Sequence, residues 1–236
     1  MNWLMLHGFT GSQASFARLE KPRATVTPTL GGHLEQPASA DFWAEVDRLA
    51  ALDPAATHLF GYSLGGRLAL GLLARHPERY ERAVLVSAHP GLRTEAQRAE
   101  RCRQDDRFVR LLRERGLVEF VTAWEAQPLW HTQCALPEAV RACKRRERLA
   151  HTAEGLARSL TAVGLGRMPD LRSALARATC AVHFLVGAHD TKFVALAEEL
   201  CRSMPRARMS VAADAGHDLV LERPEFCSAF LSQGAS

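Results

Sequence analysis

Short runs of consecutive apolar residues alternate along this chain with longer stretches in which apolar positions recur every three or four residues. Trp3–Leu6, Thr57–Phe60, Ala83–Ser87 and Ala181–Val186 are predominantly apolar runs of the first kind, a further strand is read near Arg208–Val211, and Ala24–Pro28 is a weaker one broken by threonine and proline. Uninterrupted apolar runs of this length, bounded by turn residues, suit strands buried on both faces. Between them lie helical patterns. Asp41 is placed as the N-cap of a helix reaching Leu52, with Phe42, Val46 and Leu49 on one face. A second helix runs from Leu64 to His76 and is closed by Pro77, a third from about Phe193 to Met204, and a last one starts at Pro224. Strand and helix in alternation imply right-handed crossovers and a mostly parallel sheet, so the predicted class is α/β.

The alternation breaks between about Pro90 and Ala178, where long arginine-rich helical stretches contain no convincing strand. The expected organisation is therefore one globular unit in which 1–89 and 179–236 form the sheet core and 90–178 is an inserted helical lid. No internal repeat or low-complexity segment is present.

Composition adds the question of charge. A chain of 236 residues with 47% apolar and 24% charged positions can bury a sizeable core, which excludes a disordered or fibrous protein. Thirty basic residues oppose 26 acidic ones, and only Lys21, Lys144 and Lys192 of the thirty are lysines. From Arg93 to Arg172 there are 16 basic and 11 acidic residues, so the whole positive excess falls in the insertion. That location favours a small polycarboxylate held under a lid. Nucleic acid would call for a basic face interleaved with aromatics, and four tryptophans and two tyrosines do not suggest a stacking platform. Codon bias remains a competing source of the arginines at solvated positions.

The cysteines Cys102, Cys134, Cys143, Cys180, Cys201 and Cys227 include no C-x-x-C pair, so neither a zinc site nor a disulfide framework is expected, and buried free thiols are. With no basic leader and no apolar stretch of bilayer length, the reading is a cytoplasmic monomer without a membrane partner.

The chemistry concentrates at Gly61-Tyr62-Ser63-Leu64-Gly65, a G-x-S-x-G pattern between a predicted strand and a predicted helix. The glycines leave room for a serine on a strained turn, and the N–H of Leu64 at the helix start faces whatever Ser63 attacks. A serine hydroxyl needs a histidine to take its proton, and that histidine needs an orienting carboxylate. In the chain order serine, acid, histidine, Asp190 follows the Ala181–Val186 strand and His217 lies in the last loop, behind Gly216. Asp190 also reads as a helix N-cap before Phe193. His89, His183 and His189 are rival histidines, and Asp214 and Asp218 rival acids, but none fits the expected position. A second oxyanion donor is expected from His7-Gly8-Phe9, through the N–H of Phe9.

Taken together, Gly61–Arg67 (Gly-Tyr-Ser-Leu-Gly-Gly-Arg), His89-Pro90-Gly91-Leu92, Gln97-Arg98-Ala99-Glu100-Arg101, Trp124, Arg148 with Gly155-Leu156, Met168-Pro169-Asp170-Leu171 and Gly187-x-x-Asp190-x-Lys192-Phe193 resemble the MenH family, the 2-succinyl-6-hydroxy-2,4-cyclohexadiene-1-carboxylate synthases of menaquinone biosynthesis. The resemblance runs from His7 almost to the end of the chain. It implies an α/β-hydrolase fold used for a lyase reaction without a cofactor or metal: a proton is removed from a succinyl-bearing cyclohexene ring and pyruvate leaves. It also implies that Arg67, Arg101 and Arg148 hold substrate carboxylates, with Tyr62, Trp124 and Lys192 in the same pocket.

Other roles compete at several of these positions. Arg67 could be a solvated helix residue, and Arg101 could pair along its helix with Glu95 or Asp105. Arg148 is crowded by Arg141, Lys144, Arg145 and Arg146, Trp124 could pack the lid, and Lys192 could cap a turn. The sequence departs from the family twice: the antiparallel strands that usually precede the first parallel strand are missing, and the loop after the second strand reads Leu30-Gly31-Gly32-His33 rather than aspartate-proline-glycine-histidine. A serine esterase or thioesterase acting on a small anionic ester is the alternative activity.

Overall fold

Both faces of the sheet's central strands are covered, which is why those strands read as largely apolar runs, while the edge strand near Arg208–Val211 is half-exposed and mixed. The computed structural model describes residues 1–232. Six strands, β1 (Trp3–Leu6), β2 (Thr25–Val26), β3 (His58–Tyr62), β4 (Arg82–Val86), β5 (Ala181–Gly187) and β6 (Ala207–Ala212), lie in the order β2-β1-β3-β4-β5-β6. Every neighbouring pair is parallel. The α/β prediction holds, and the interrupted Ala24–Pro28 run shrinks to a two-residue edge strand.

The period-two alternation of strand side chains divides them between two cores. Leu4, Leu6, Leu59, Ala83, Leu85, Val182, Phe184 and Val186 point to one side, where α1 (Phe42–Leu52), α2 (Leu64–Arg75) and α7 (Thr191–Ser203) cover them. Trp3, Met5, Phe60, Tyr62, Val84, Val86 and Leu185 point to the other, against α8 (Leu219–Glu222) and α9 (Pro224–Ser232). Asp41 caps α1 as expected, its carboxylate accepting the Ala44 N–H at 2.9 Å. The short α8 lacked a sequence signal, being a single turn capped by Asp218.

Between β4 and β5 the chain leaves the sheet for a set of helices: α3 (Glu95–Glu125), α4 (Glu138–Arg148), α5 (Ala153–Val163) and α6 (Arg172–Leu175), with a 3-10 segment at Pro128–Ala135. Thr94 and Gln97 form a capping box at the start of α3, and Gly116, at φ +84°, breaks α3 internally. The insertion has its own apolar cluster around Leu112, Phe120, Val121, Trp124, Trp130 and Leu156. Phe9, from the loop after β1, packs against both this cluster and the sheet core.

Among the described residues no helix is long and apolar enough to cross a membrane, and no group of side chains is arranged to hold a metal ion. All six cysteines are free; Cys180 and Cys227 are buried, whereas Cys134 and Cys143, on the polar faces of the insertion, are exposed, contrary to the expected burial.

Candidate active site

Because the strands are parallel, the loops following β1, β3, β4, β5 and β6 all emerge at one edge of the sheet, the usual place for a ligand in such folds. Ser63 follows β3 at φ +53° and ψ −107°, a left-handed backbone that is costly for a residue with a Cβ. The surroundings impose it. The Ser63 N–H donates to the Val86 carbonyl at 2.9 Å, and the Gly65 N–H donates to the His7 carbonyl at 3.0 Å. β1 crosses so close to the first turn of α2 that a Cβ on Gly65 would lie 2.0 Å from the Leu6 carbonyl oxygen.

The Ser63 Oγ lies 3.0 Å from His217 Nε2, and His217 Nδ1 lies 2.6 Å from Asp190 Oδ2. Asp190 stands at the N-cap position of α7, but its side chain makes no capping bond; its main-chain carbonyl accepts the Phe193 and Val194 N–H groups instead. The carboxylate is thereby left for the histidine. The histidine ring is walled by Phe193, Trp130 and Tyr62, at centroid distances of 4.6, 5.5 and 5.8 Å. Its loop is gripped from two sides. Ser87 Oγ donates to the His217 carbonyl, and the Glu222 carboxylate accepts the N–H groups of Gly216 at 2.7 Å and Asp218 at 3.3 Å. Burial raises the Glu222 pKa above the usual carboxylate value.

Phe9 and Leu64 line the same cavity, and among the described residues neither spends its main-chain N–H on another backbone acceptor. Two buried histidines shape the loop that carries Phe9. His33 Nε2 accepts the N–H of Thr10, a residue at φ +62°, and His7 Nε2 accepts the N–H of Leu30. Since main-chain N–H groups only donate, both rings carry their proton on Nδ1, 2.9 Å from the Gly8 carbonyl for His7 and 3.2 Å from that of Gly31 for His33. Burial keeps them neutral, lowering His7 to about 4 and His33 well below the ordinary histidine value.

A cationic wall faces the serine. Arg67, Arg101 and Lys192 line the cavity with Tyr62 and Trp124. Arg67 donates to the Val163 carbonyl at 2.7 Å, while Arg101 pairs with Asp105 at 2.8 Å, so its helix pairing and its place in the cavity coexist. Burial first, and then the Arg101 charge, lower the Arg67 pKa to about 9. Trp124 likewise has both its expected roles: it lines the cavity and stacks on Phe120 at 5.6 Å.

Arg148 stands apart from the grouping implied for it. Its guanidinium is buried, pairs with Glu125 at 2.8 Å and packs over Trp130 at 5.5 Å, in a second hollow behind that tryptophan. The physical reason is the carboxylate of Glu125, which reaches Arg148 from α3.

Ser87, Trp130 and Glu222 belong to the site although the sequence did not mark them for it, and His89 and Phe193, which entered within the family motifs but without a role of their own, belong to it as well. His89, set aside as a rival histidine, lines the cavity; its Nδ1 accepts the Gly91 N–H at 3.0 Å, so its proton sits on Nε2. Burial, and then the charges of Lys192 and Arg67, lower it to about 3. The strand–turn signal that marks Ser63 was also present at Ala83–Ser87, but without a pattern to go with it.

A parallel sheet bearing a strained serine in line with a histidine and an aspartate defines the alpha/beta hydrolase class. Comparison with known proteins agrees: the profile of the alpha/beta hydrolase family matches residues 3–230. A Bacillus subtilis (strain 168) protein, provisionally named as a 2-succinyl-6-hydroxy-2,4-cyclohexadiene-1-carboxylate synthase, is 35% identical over 97% of this chain and 88% of its own length. The Enterobacter sp. (strain 638) enzyme of that name is 32% identical over 98% and 90%. The structure of MenH from S. aureus superposes with a TM-score of 0.90 at 28% identity, covering 98% of this chain and 92% of that one. A thermophilic esterase from Thermogutta terrifontis, at 23% identity and a TM-score of 0.84, shares the fold. The chain belongs to the alpha/beta hydrolase family and, within it, to the 2-succinyl-6-hydroxy-2,4-cyclohexadiene-1-carboxylate synthases.

Proposed function

We propose that this chain is a 2-succinyl-6-hydroxy-2,4-cyclohexadiene-1-carboxylate synthase, a carbon–oxygen lyase that eliminates pyruvate from a succinyl-bearing enolpyruvyl cyclohexene carboxylate. The observation that carries the reading is the pairing of the serine–histidine–aspartate line with a wall of three cations, Arg67, Arg101 and Lys192, of which Arg101 alone has a close carboxylate partner among the described residues. A pocket that concentrates positive charge beside a base suits a substrate carrying several carboxylates.

In this reading Ser63 Oγ, polarised by His217 Nε2, removes the proton beside the succinyl ketone. The proton passes to the imidazole, and Asp190 stabilises the imidazolium. The electron pair moves onto the ketone oxygen, which the N–H groups of Phe9 and Leu64 hold. Collapse of that enolate breaks the bond to the enolpyruvyl oxygen, and pyruvate leaves as its enolate and is protonated. No acyl-enzyme forms. Residues 90–178 act as a lid that supplies Arg101, Trp124 and Trp130 and excludes water.

The test is direct. Purified protein is expected to release one pyruvate per molecule of enolpyruvyl cyclohexene precursor, and Ser63→Ala to abolish the release. Turnover of p-nitrophenyl esters without pyruvate release, with a phosphonate labelling Ser63, would replace this reading with that of an esterase.

A further inference from the structure

Glu147 in α4 does not line the cavity that holds Ser63, yet its side chain is among the most heavily bonded of the molecule. Its Oε1 accepts three donors: the Ser12 N–H at 2.9 Å, the Ser12 hydroxyl at 2.8 Å and the Ser15 hydroxyl at 2.6 Å. Its Oε2 lies 3.0 Å from Lys144 Nζ, and both side chains are about nine-tenths buried. Burial pushes the Glu147 carboxyl up, but Lys144 and the serine donors outweigh that and hold it below the usual carboxylate value. The same lysine lies 3.9 Å from Oδ2 of Asp218, the residue after His217.

These bonds end on the loop that carries Phe9. The Gly11 N–H donates to the Gly8 carbonyl at 3.0 Å, closing a turn with Phe9 and Thr10 at its centre, and Ser12 is the next residue out of that turn. His33 fixes Thr10 from one side, and Glu147 fixes Ser12 from the other. Through Lys144 and Asp218 the same helical turn of the insertion also reaches the histidine loop. A carboxylate placed to hold three donors of a single loop, when one would link the insertion to the core, does more than tie two layers together.

We propose that Glu147 is a positioning residue: clamped to Ser12 and Ser15 and balanced by Lys144, it sets the Phe9 N–H opposite that of Leu64 across Ser63. The proposal rests on the reading of those two N–H groups as the oxyanion donors. A misplaced donor weakens a bond that reaches full strength only as charge develops, so its loss appears in kcat and leaves substrate binding by Arg67, Arg101 and Lys192 in place.

The variants are Glu147→Gln, which keeps the shape and removes the charge, and the double variant Glu147→Gln with Lys144→Met, which also removes the lysine left without its partner. Each is assayed for pyruvate release, for thermal stability, and for amide hydrogen exchange at residues 8–12. In Glu147→Gln, kcat is expected to fall tenfold or more with KM within threefold, and exchange at residues 8–12 to quicken. In the double variant stability is expected to recover while kcat stays low. Loss of stability alone, a rise in KM with kcat intact, or full recovery of kcat in the double variant would overturn the proposal. Should the wild-type protein release no pyruvate, the functional reading fails by itself. The exchange measurement then still decides this one: unchanged protection of residues 8–12 in Glu147→Gln refutes it.

Discussion

The Ser87 hydroxyl donates to the main-chain carbonyl of His217 at 2.8 Å, joining the end of β4 to the loop that carries the histidine. Ser87 is itself held at φ +49°, so the bond depends on a backbone that alanine adopts poorly. Ser87→Ala leaves the buried carbonyl unpaired, at a cost of roughly 1–3 kcal/mol. The expected outcome is a lower melting temperature and a reduced kcat with KM little changed. Ser87→Gly, which relaxes the backbone but still lacks the bond, is expected to recover stability before it recovers kcat.

Arg67 lies in the cavity wall with a carbonyl as its partner and Arg101 as a neighbouring like charge. Arg67→Met is expected to lower kcat/KM by roughly 10- to 150-fold, the equivalent of one charge-assisted hydrogen bond of about 1.5–3 kcal/mol. The melting temperature is expected to hold or rise, because a desolvated cation has been removed. A variant that melts early and binds substrate normally would assign Arg67 to the scaffold.

Three buried histidines make stability depend on pH. His7 titrates at about 4, His89 at about 3 and His33 well below its ordinary value, and burial is the main cause in each. In the unfolded chain all three take protons near 6.5, so below that pH the unfolded state binds more protons than the native state. Their contribution to stability is whole above about pH 6.5 and is lost as the pH falls towards 4, at up to about 1.4 kcal/mol per unit for each group. The urea midpoint is expected to drop steeply between pH 6.5 and 4.5. Replacement of His33 by glutamine should flatten that slope, and an unchanged slope would contradict the assignment.

Gly65 is the least replaceable residue of the serine turn. A methyl group there meets the Leu6 carbonyl at 2.0 Å, and neither backbone can move without displacing β1 or α2. Gly65→Ala is expected to cost more than about 4 kcal/mol, seen as insoluble expression or a collapsed melting temperature.

The central strands were legible in the sequence because both of their faces are buried, which turns strand alternation into plain apolar runs such as Leu4-Met5-Leu6 and Ala83–Val86. The serine turn was legible because its glycines are dictated by close backbone contact. Asp190 and His217 were legible from chain order. Arg148 was not, because its partner Glu125 is 23 residues away and four other basic residues offer the same local spacing. Ser87 and Glu147 were hidden for the same reason, each acting on a loop distant in sequence, whereas Glu222 acts on its own loop and was hidden because nothing local distinguishes it from a solvated polar residue. The loop Leu30-Gly31-Gly32-His33 was read as a departure from a family pattern at its first two positions, and no role was read for His33, whose work is to accept the Thr10 N–H.

The helices between β4 and β5 leave the sheet after Ser87 and return at β5, so Ser63, Asp190 and His217 all sit on the sheet framework, while Trp130 and Glu147 of the inserted helices reach the histidine and the Phe9 loop. Arg101, Trp124 and Trp130 belong to those helices; Arg67 and Lys192 belong to the framework. Exchange of this one segment would therefore change the cavity wall and the support of the Phe9 loop together, while the proton-handling side chains stay on the sheet.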